Sequence, residues 1–338
     1  MFALQSGSAS IHYGGKMFVR ALLCFSLLLI GTAAPAWSQT YPTKPIRLIV
    51  GYAPGGSVDT TARIFAPKLS AELGQQVVVE NRAGAASNIA ADYVAKSSPD
   101  GYTLFWSSGT GLGTNMAFYQ RMPYNPLKDF APIALLMYQS NGLVVNPTVP
   151  ATTTKELIAL AKARPGQLNY GSAGSGTSQH MTAELFSKMT GVKMTGIAYK
   201  GGAPALVDLV AGHIDLVFSP LPEVVPYVRA KRLRAIAVSG AKRSPALPDV
   251  PTVGETVPGF AFEGFLGVVG PAGMSPDIVA RLNAAANKAL QDPDVRKRLV
   301  DLGLGIAGST PEQLGTHMRE QTALMIRIAK DAGIKPLD

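Results

Sequence analysis

The sequence predicts an α/β protein of two lobes with a ligand cleft between them. Short apolar or β-branched runs alternate with helix-period segments along most of the 338 residues, the pattern of layered helices over largely parallel strands. Two proline-rich irregular stretches, Met122 to Pro132 and Ser244 to Phe262, interrupt the alternation and read as crossings between lobes. The length also suits two domains better than one.

In chain order the first feature is a leader. Lys16 and Arg20 precede the apolar stretch Ala21 to Ile30, and small residues surround Ala34-Pro35-Ala36, the layout of a secretory signal with an A-x-A cleavage site. The apolar stretch is shorter than the roughly 20 residues that span a bilayer. Residues 1–36 are therefore expected to be a signal peptide that directs the chain to the periplasm, leaving a soluble mature protein that begins between Trp37 and Thr40. Met1 to Gly15 is uncharged and unlike a signal n-region, which makes Met17 a candidate start. Cys24 is the only cysteine and lies inside this leader, behind a Leu23 that is wrong for a lipoprotein signal. The mature fold then rests on its core, which a chain 47% apolar can supply, and not on disulfides.

Strands are expected at Ile46 to Val50, Val77 to Val79, Tyr102 to Trp106, Leu143 to Val145, Leu168 to Tyr170, Met194 to Tyr199, Ile214 to Phe218, Leu233 to Val238 and Phe265 to Val269. The first helix carries Val58, Ala62, Phe65, Leu69 and Leu73 on one face and stops at Gly74, with a kink expected at Pro67. Ser275-Pro276 supplies an N-cap and an N1 proline for a later helix, and Thr310-Pro311-Glu312-Gln313 has capping-box spacing for the last one. If both proline-rich stretches are crossings, one lobe is residues 41–141 plus 263–338 and the other is 142–262.

The formal charge is +9, and removing Lys16 and Arg20 with the leader lowers it to +7. Such a balance biases encounter toward anionic ligands. The densest basic runs, Lys231-Arg232 and Arg296-Lys297-Arg298, have no interleaved aromatic residue and read as solvated helix faces, so nucleic acid is not an expected partner.

Pro54-Gly55-Gly56-Ser57-Val58-Asp59 joins the first strand to the first helix. Glycines there permit a sharp turn with exposed N–H groups, and the helix N-terminus behind them is partly positive, so the segment reads either as a backbone anion site or as a plain turn capped by Asp59. Gly56 is expected to supply an unhindered N–H and freedom of φ. A second such loop, Gly171-Ser172-Ala173-Gly174-Ser175-Gly176-Thr177-Ser178, follows a strand on the other lobe, and two loops facing across a cleft could converge on one small anion. Neither is a Walker A or a G-x-G-x-x-G loop.

Enzyme chemistry finds less support. There is no G-x-S-x-G, and His180, His213 and His317 are scattered without H-E-x-x-H or a cysteine partner, so no metal site is expected. His180 falls in the first turn after the second loop, where a packing or capping role and a ligand contact are both open. Tyr199-Lys200-Gly201-Gly202 offers a hydroxyl and a charge at the cleft, or merely a solvated lysine beside a turn. Asp59 and Asp215 could act as acid and base, yet nothing in the spacing pairs them.

The run Tyr41-Pro42-Thr43-Lys44-Pro45-Ile46-Arg47-Leu48-Ile49-Val50, the loop at Pro54 to Asp59, Val78-Val79-Glu80-Asn81-Arg82-Ala83-Gly84-Ala85 and Pro99-Asp100-Gly101-Tyr102-Thr103-Leu104 together resemble the extracytoplasmic receptors of tripartite tricarboxylate transporters, the Bug receptors. Gly174 to His180, Tyr199-Lys200-Gly201 and Leu247-Pro248-Asp249-Val250-Pro251-Thr252 continue the match in order. The resemblance implies a two-lobed periplasmic-binding-protein fold, type II-like, that closes around a small mono-, di- or tricarboxylate or related metabolite. It implies a monomeric receptor without cofactor or catalysis, which delivers its ligand to the membrane subunits of a transporter. The alternative is a receptor whose loaded form signals to a sensor kinase without transport, and an exported hydrolase or isomerase is a third reading.

Carried over position by position, Gly56, Ser57 and Asp59 would line one wall and Ser175, Thr177, Ser178 and His180 the other, with Tyr199 and Asp215 nearby. Tyr52 joins the ligand-binding set, as do Ser107, Ser108 and Thr110, which lie outside a strand C-terminus where such folds place ligands. One departure stands out: where the family commonly has Gly-Ala-Gly-Gly-Asn, this chain has Gly84-Ala85-Ala86-Ser87-Asn88.

Overall fold

The computed structural model describes residues 1–4, 7, 41–331 and 336, so the expected leader, its cleavage site, Met17 and Cys24 lie outside the described residues. The chain divides into two units, Met1–Tyr41 and Pro42–Asp338, and every element below belongs to the second.

Strand β1 (Ile46–Val50) buries all but Arg47 and runs into the first glycine loop. Helix α1 (Ser57–Leu73) follows, with Val58, Ala62, Phe65, Leu69 and Leu73 all buried, and it ends at Gly74 in a left-handed conformation, φ 71°, whose N–H bonds the Ser70 carbonyl. The helix continues through Pro67 to Leu73. Strand β2 (Val77–Asn81), helix α2 (Asn88–Ala95), strand β3 (Thr103–Ser108) and the single turn α3 (Gly109–Leu112) come next.

Strand β4 (Phe130–Val145) departs from the sequence expectation, which placed a strand only at Leu143 to Val145 and an irregular crossing up to Pro132. The chain is extended from Phe130 onward. Pro132 argued against a strand, but it sits where the pairing register shifts, a bulge that tolerates its missing N–H.

The remaining elements are α4 (Thr154–Ala163), β5 (Asn169–Ser172), α5 (Ser178–Thr190), β6 (Thr195–Ala198), α6 (Gly202–Ala211), β7 (Leu216–Pro220), α7 (Leu221–Arg229), β8 (Arg234–Val238), β9 (Glu263–Pro271), α8 (Pro276–Gln291), α9 (Pro293–Asp301), β10 (Leu304–Ile306) and α10 (Pro311–Asp331). The caps are those the sequence specifies. Ser275 Oγ accepts the Ile278 N–H, and Thr310 and Gln313 exchange reciprocal bonds at the start of α10.

The strands order as β2-β1-β3-β9-β4-β7-β5-β6, with β8 and β10 also on β4. The order is less parallel than expected: two parallel triplets, β2-β1-β3 and β7-β5-β6, are joined through antiparallel β9 and β4. Strand β4 serves both halves, pairing β9 from Phe130 to Ser140 and β7 from Asn141 to Val145. Each half has its own core, one around Ile49, Phe105, Leu112 and Val269, the other around Leu143, Phe186, Phe218 and Ile236. Ser239 stitches the crossing strands together: its Oγ accepts the Asn141 N–H and donates to the Phe262 carbonyl. The C-terminal helices close on the first half, where Asn283 donates to the Ile133 carbonyl and Lys288 pairs with Glu72 of α1.

Candidate functional site

A partly open cavity, about 350 Å³ counting the solvent at its mouth, lies where the loops of both halves meet. Its walls are built by strand-to-helix turns. Tyr52, Ser57 and Val58 come from the first, Ser108 and Thr110 from the end of β3, Ala173, Thr177, Ser178 and Gln179 from the second glycine loop. Gln139 of β4, Gly202 of α6, and Pro220 and Glu223 around the start of α7 complete it. Among the described residues four helix N-termini meet here: Ser57 opens α1, Ser178 opens α5, Gly202 opens α6 and Pro220 caps α7. Each brings partial positive charge and first-turn main-chain groups with no partner inside the helix. Among the described residues no Lys, Arg or His side chain lines the cavity. A contiguous hollow of about 380 Å³ shares Ser108, Thr110, Gln139 and Ser178 and extends toward Phe262, Phe265 and Met325.

Among the described residues the one carboxyl group in the wall is Glu223. Its Oε1 accepts the Ser57 main-chain N–H at 2.8 Å, while its Oε2 accepts from Gln179 Nε2 at 3.0 Å and from the Ser219 hydroxyl. The second Gln179 amide hydrogen goes to Ser219 Oγ at 2.7 Å. Burial pushes the Glu223 carboxyl above its ordinary range, and these three donors only partly offset it. Gly202 makes the arrangement possible, since a Cβ there would lie 2.0 Å from Glu223 Oε2. On the opposite wall Tyr52 Oη meets Ser108 Oγ at 3.1 Å, and burial raises the phenol pKa. Ser57 Oγ donates to Gln139 Oε1 at 2.9 Å, fixing the start of α1 to β4.

Of the ligand-binding positions expected from sequence, Tyr52, Ser57, Ser108, Thr177 and Ser178 line this cavity, and Thr110 joins them. The others are engaged around it. Gly56 is the N-cap of α1 at φ −72°, so it uses no special backbone freedom; the turn is made by Gly55 at φ 83°. Asp59 turns back on its own loop. Burial favours its neutral form, but bonds from Arg63, the Gly55 N–H and Asn81 outweigh that and hold the carboxyl below its ordinary value. Ser107 is buried with its Oγ unpartnered among the described residues, and Ser175 is half-buried within the second loop.

His180 accepts the Gly176 N–H on Nδ1 at 3.2 Å and packs edge-on against Phe118, with burial lowering its pKa. Tyr199 donates to Asp208 at 2.7 Å, its phenol pushed up to about 12 by burial and by that carboxylate. Asp215 accepts the Asn169 N–H at the start of β5, and Lys200 is exposed. Among the described residues no group of three or more His, Cys, Asp or Glu is placed to hold a metal ion.

Sequence reasoning missed Gln139, Gln179, Gly202 and Glu223. The signal for Glu223 was present: Ser219-Pro220-Leu221-Pro222-Glu223 is a third strand-to-helix turn, differing from the first two only in using proline where they use glycine. Gln139 had none, because its strand was not recognised. The departing loop lies beside the site without lining the cavity. Ala85, Ala86 and Ser87 all have positive φ, 45°, 47° and 77°, and the Ala86 carbonyl accepts from Asn115 at 2.9 Å. A Cβ on Gly174 would lie 3.8 Å from that of Ala86, so this loop abuts the second glycine loop.

A two-lobed α/β chain whose lobes surround a cavity ringed by helix N-termini has the periplasmic-binding-protein fold. The chain belongs to the tripartite tricarboxylate transporter family receptors, whose family profile matches residues 61–334. It is 36% identical to Protein BugT of Bordetella pertussis over 317 residues, 93% of this chain and 97% of that one. The structure of R. palustris Rpa4515 with adipate superposes with a TM-score of 0.86 at 37% identity, covering 88% of this chain and 100% of that one. MatC from Rhodopseudomonas palustris with bound malate gives 0.82 at 32% identity, covering 85% and 99%.

Proposed function

We propose that this protein is an extracytoplasmic receptor that captures a small carboxylate-type metabolite and delivers it to the membrane subunits of a tripartite tricarboxylate transporter. The observation that carries the reading is the convergence of four helix N-termini on a partly open cavity with no cationic side chain in its wall among the described residues. Such a site favours an anion through main-chain donors and helix dipoles. Adipate and malate in the related structures are anions of the same class. The receptor acts by binding and release, with no chemical step.

In this reading the lobes are residues 41–141 plus 263–338 and residues 142–262, and the bonds from Ser239 to Asn141 and Phe262 support crossings at those points. Ser57, Ser108, Thr177 and Ser178 contact the ligand with Tyr52 behind them. Gly56, Asp59 and His180 shape the loops that present those groups, while Ser107, Ser175, Tyr199 and Asp215 support them from outside the cavity. Export depends on the leader in residues 1–36.

Mass spectrometry of the ligand that co-purifies with gently released protein, followed by thermal shift with mono-, di- and tricarboxylates, tests the reading. A ligand at a hundredfold excess over its Kd adds about 2.7 kcal/mol, a rise of roughly 5 to 10 °C in Tm for lobes of this size. Failure of every carboxylate, with sugars or simple amines binding instead, overturns it.

A further inference from the structure

Glu223 and Gln179 together make one end of the cavity a wall of hydrogen-bond acceptors. An ionised carboxylate has about four lone-pair sites, and Glu223 uses three of them: Ser57 N–H on Oε1, Ser219 and Gln179 on Oε2. One site on Oε1 is left. Gln179 spends both amide hydrogens on Ser219 and Glu223, so its Oε1 is committed as an acceptor. That atom is buried and has no partner among the described residues, in a side chain only 3% exposed that lines the cavity. A buried acceptor without a donor is a standing deficit that a ligand can fill.

The same carboxylate also changes what the helix N-termini can bind. The Ser57 N–H, first donor of α1, is already occupied by Glu223 Oε1, so this chain has placed a carboxylate of its own in the first glycine loop. With Glu223 ionised, a ligand carboxylate at that end would meet a like charge, and among the described residues no lysine, arginine or histidine lines the wall to offset it. The opposite end differs. The Ser178 and Gln179 main-chain N–H groups that open α5 have no partner among the described residues, and Ser108 and Thr110 line the same cavity with their hydroxyls bonded to Tyr52 Oη and the Gly176 carbonyl. The cavity is therefore polar in one direction, with donors at the α5 end and acceptors at the α7 end.

Resting on the carboxylate-receptor reading above, we propose that the ligand is a monocarboxylate whose far end carries an N–H donor group, amide or ammonium, with its carboxylate at the start of α5 and its nitrogen against Glu223 and Gln179. A nitrogen with two hydrogens satisfies both open acceptors at once, which one hydroxyl cannot. Dicarboxylates of the same length are rejected because their second charge faces Glu223.

The test is calorimetric titration of the full mature chain with two matched pairs, succinate against succinamate and adipate against its monoamide, with 3-aminopropanoate and 6-aminohexanoate as the ammonium forms. The expected result is that the best donor-tipped compound binds about tenfold or more tightly than its diacid partner, and that Glu223→Gln narrows the ratio by weakening the amine and strengthening the diacid. Tighter binding of the diacids by the wild-type chain overturns the proposal while leaving the carboxylate reading intact, and this comparison needs no variant to fold. An unchanged ratio in folded Glu223→Gln also overturns it. If no compound with a carboxylate binds, both the proposal and the reading beneath it fail.

Discussion

The carboxylate of Glu223, in the first turn of α7, accepts the main-chain N–H of Ser57, the first residue of α1, at 2.8 Å. One bond thus joins two helix N-termini through residues 166 positions apart. Its proton affinity couples this contact to pH. Burial raises the folded-state pKa above the ordinary carboxylate value of 4.5, so the native chain binds a proton more readily than the unfolded one. Stability from this group is then fully present below 4.5 and is lost as pH rises through the folded value. Denaturation of wild type and Glu223→Gln between pH 4.5 and 8 is expected to show wild type gaining on the variant as pH falls. A difference that is flat, or that moves the other way, removes the buried-carboxyl account.

Much of the fold was legible because its information is local. The face of α1, its stop at Gly74 and the caps at Ser275 and Thr310 follow from nearest-neighbour chemistry, and each is where the residues place it. Strand β4 was not legible, since its apolar run lacks a period of two and contains Pro132, whose bulge only the pairing with β9 reveals. The site divides the same way. Ser57 and Ser178 follow from glycine-loop grammar, whereas Glu223 enters through a side chain that crosses to another helix, a long-range contact no spacing rule encodes. Asp59 and His180 are wall residues by the family resemblance, and each also bonds its own glycine loop, a local contact that the resemblance does not encode.

His180 is expected to titrate below its ordinary value. Its Nδ1 accepts the Gly176 N–H, so the proton of the neutral ring belongs on Nε2. Burial lowers the folded-state pKa below 6.5, more than the nearby Glu184 raises it. Between 6.5 and the folded value the unfolded chain binds the proton and the native chain does not, so this group removes stability as pH falls through that window. Nitrogen-resolved NMR of the imidazole checks it: an Nδ1–H tautomer, or titration at or above 6.5, contradicts the capping geometry.

The loop Gly84 to Asn88 carries a removable strain. Ala86 at φ 47° and Ser87 at φ 77° occupy the left-handed region that side chains disfavour by roughly 1 to 2 kcal/mol each. Glycine accepts that conformation freely, at an unfolded-state entropy cost of about 0.5 to 1 kcal/mol. Ser87→Gly also deletes a buried hydroxyl that has no partner among the described residues. Each substitution is therefore expected to stabilise the protein by about 0.5 to 1 kcal/mol, read as a rise in the denaturation midpoint. Destabilisation by Ser87→Gly would mean that its hydroxyl has a partner and is not strained.

Gly202, Gly56 and Lys200 rank in that order as determinants of affinity. A Cβ on Gly202 would lie 2.0 Å from Glu223 Oε2, 2.5 Å from its carboxyl carbon and 2.6 Å from Gln179 Nε2, so Gly202→Ala must displace the whole acceptor wall. Charge-assisted bonds are worth about 1.5 to 3 kcal/mol each, and losing two while their neighbours shift is expected to weaken binding by roughly 100-fold or more. Gly56 has an ordinary φ, and its added Cβ would meet Glu223 Oε1 at 3.3 Å, a contact that small adjustments relieve. Gly56→Val is therefore expected to cost less than Gly202→Ala despite the larger side chain. Lys200 is exposed and does not line the cavity, so Lys200→Ala is expected to cost about 1 kcal/mol or less. Calorimetric titration of the three folded variants with one common ligand gives the ranking, and abolition of binding by Lys200→Ala with Gly202→Ala unaffected would mean that the ligand is held by a cation outside this cavity.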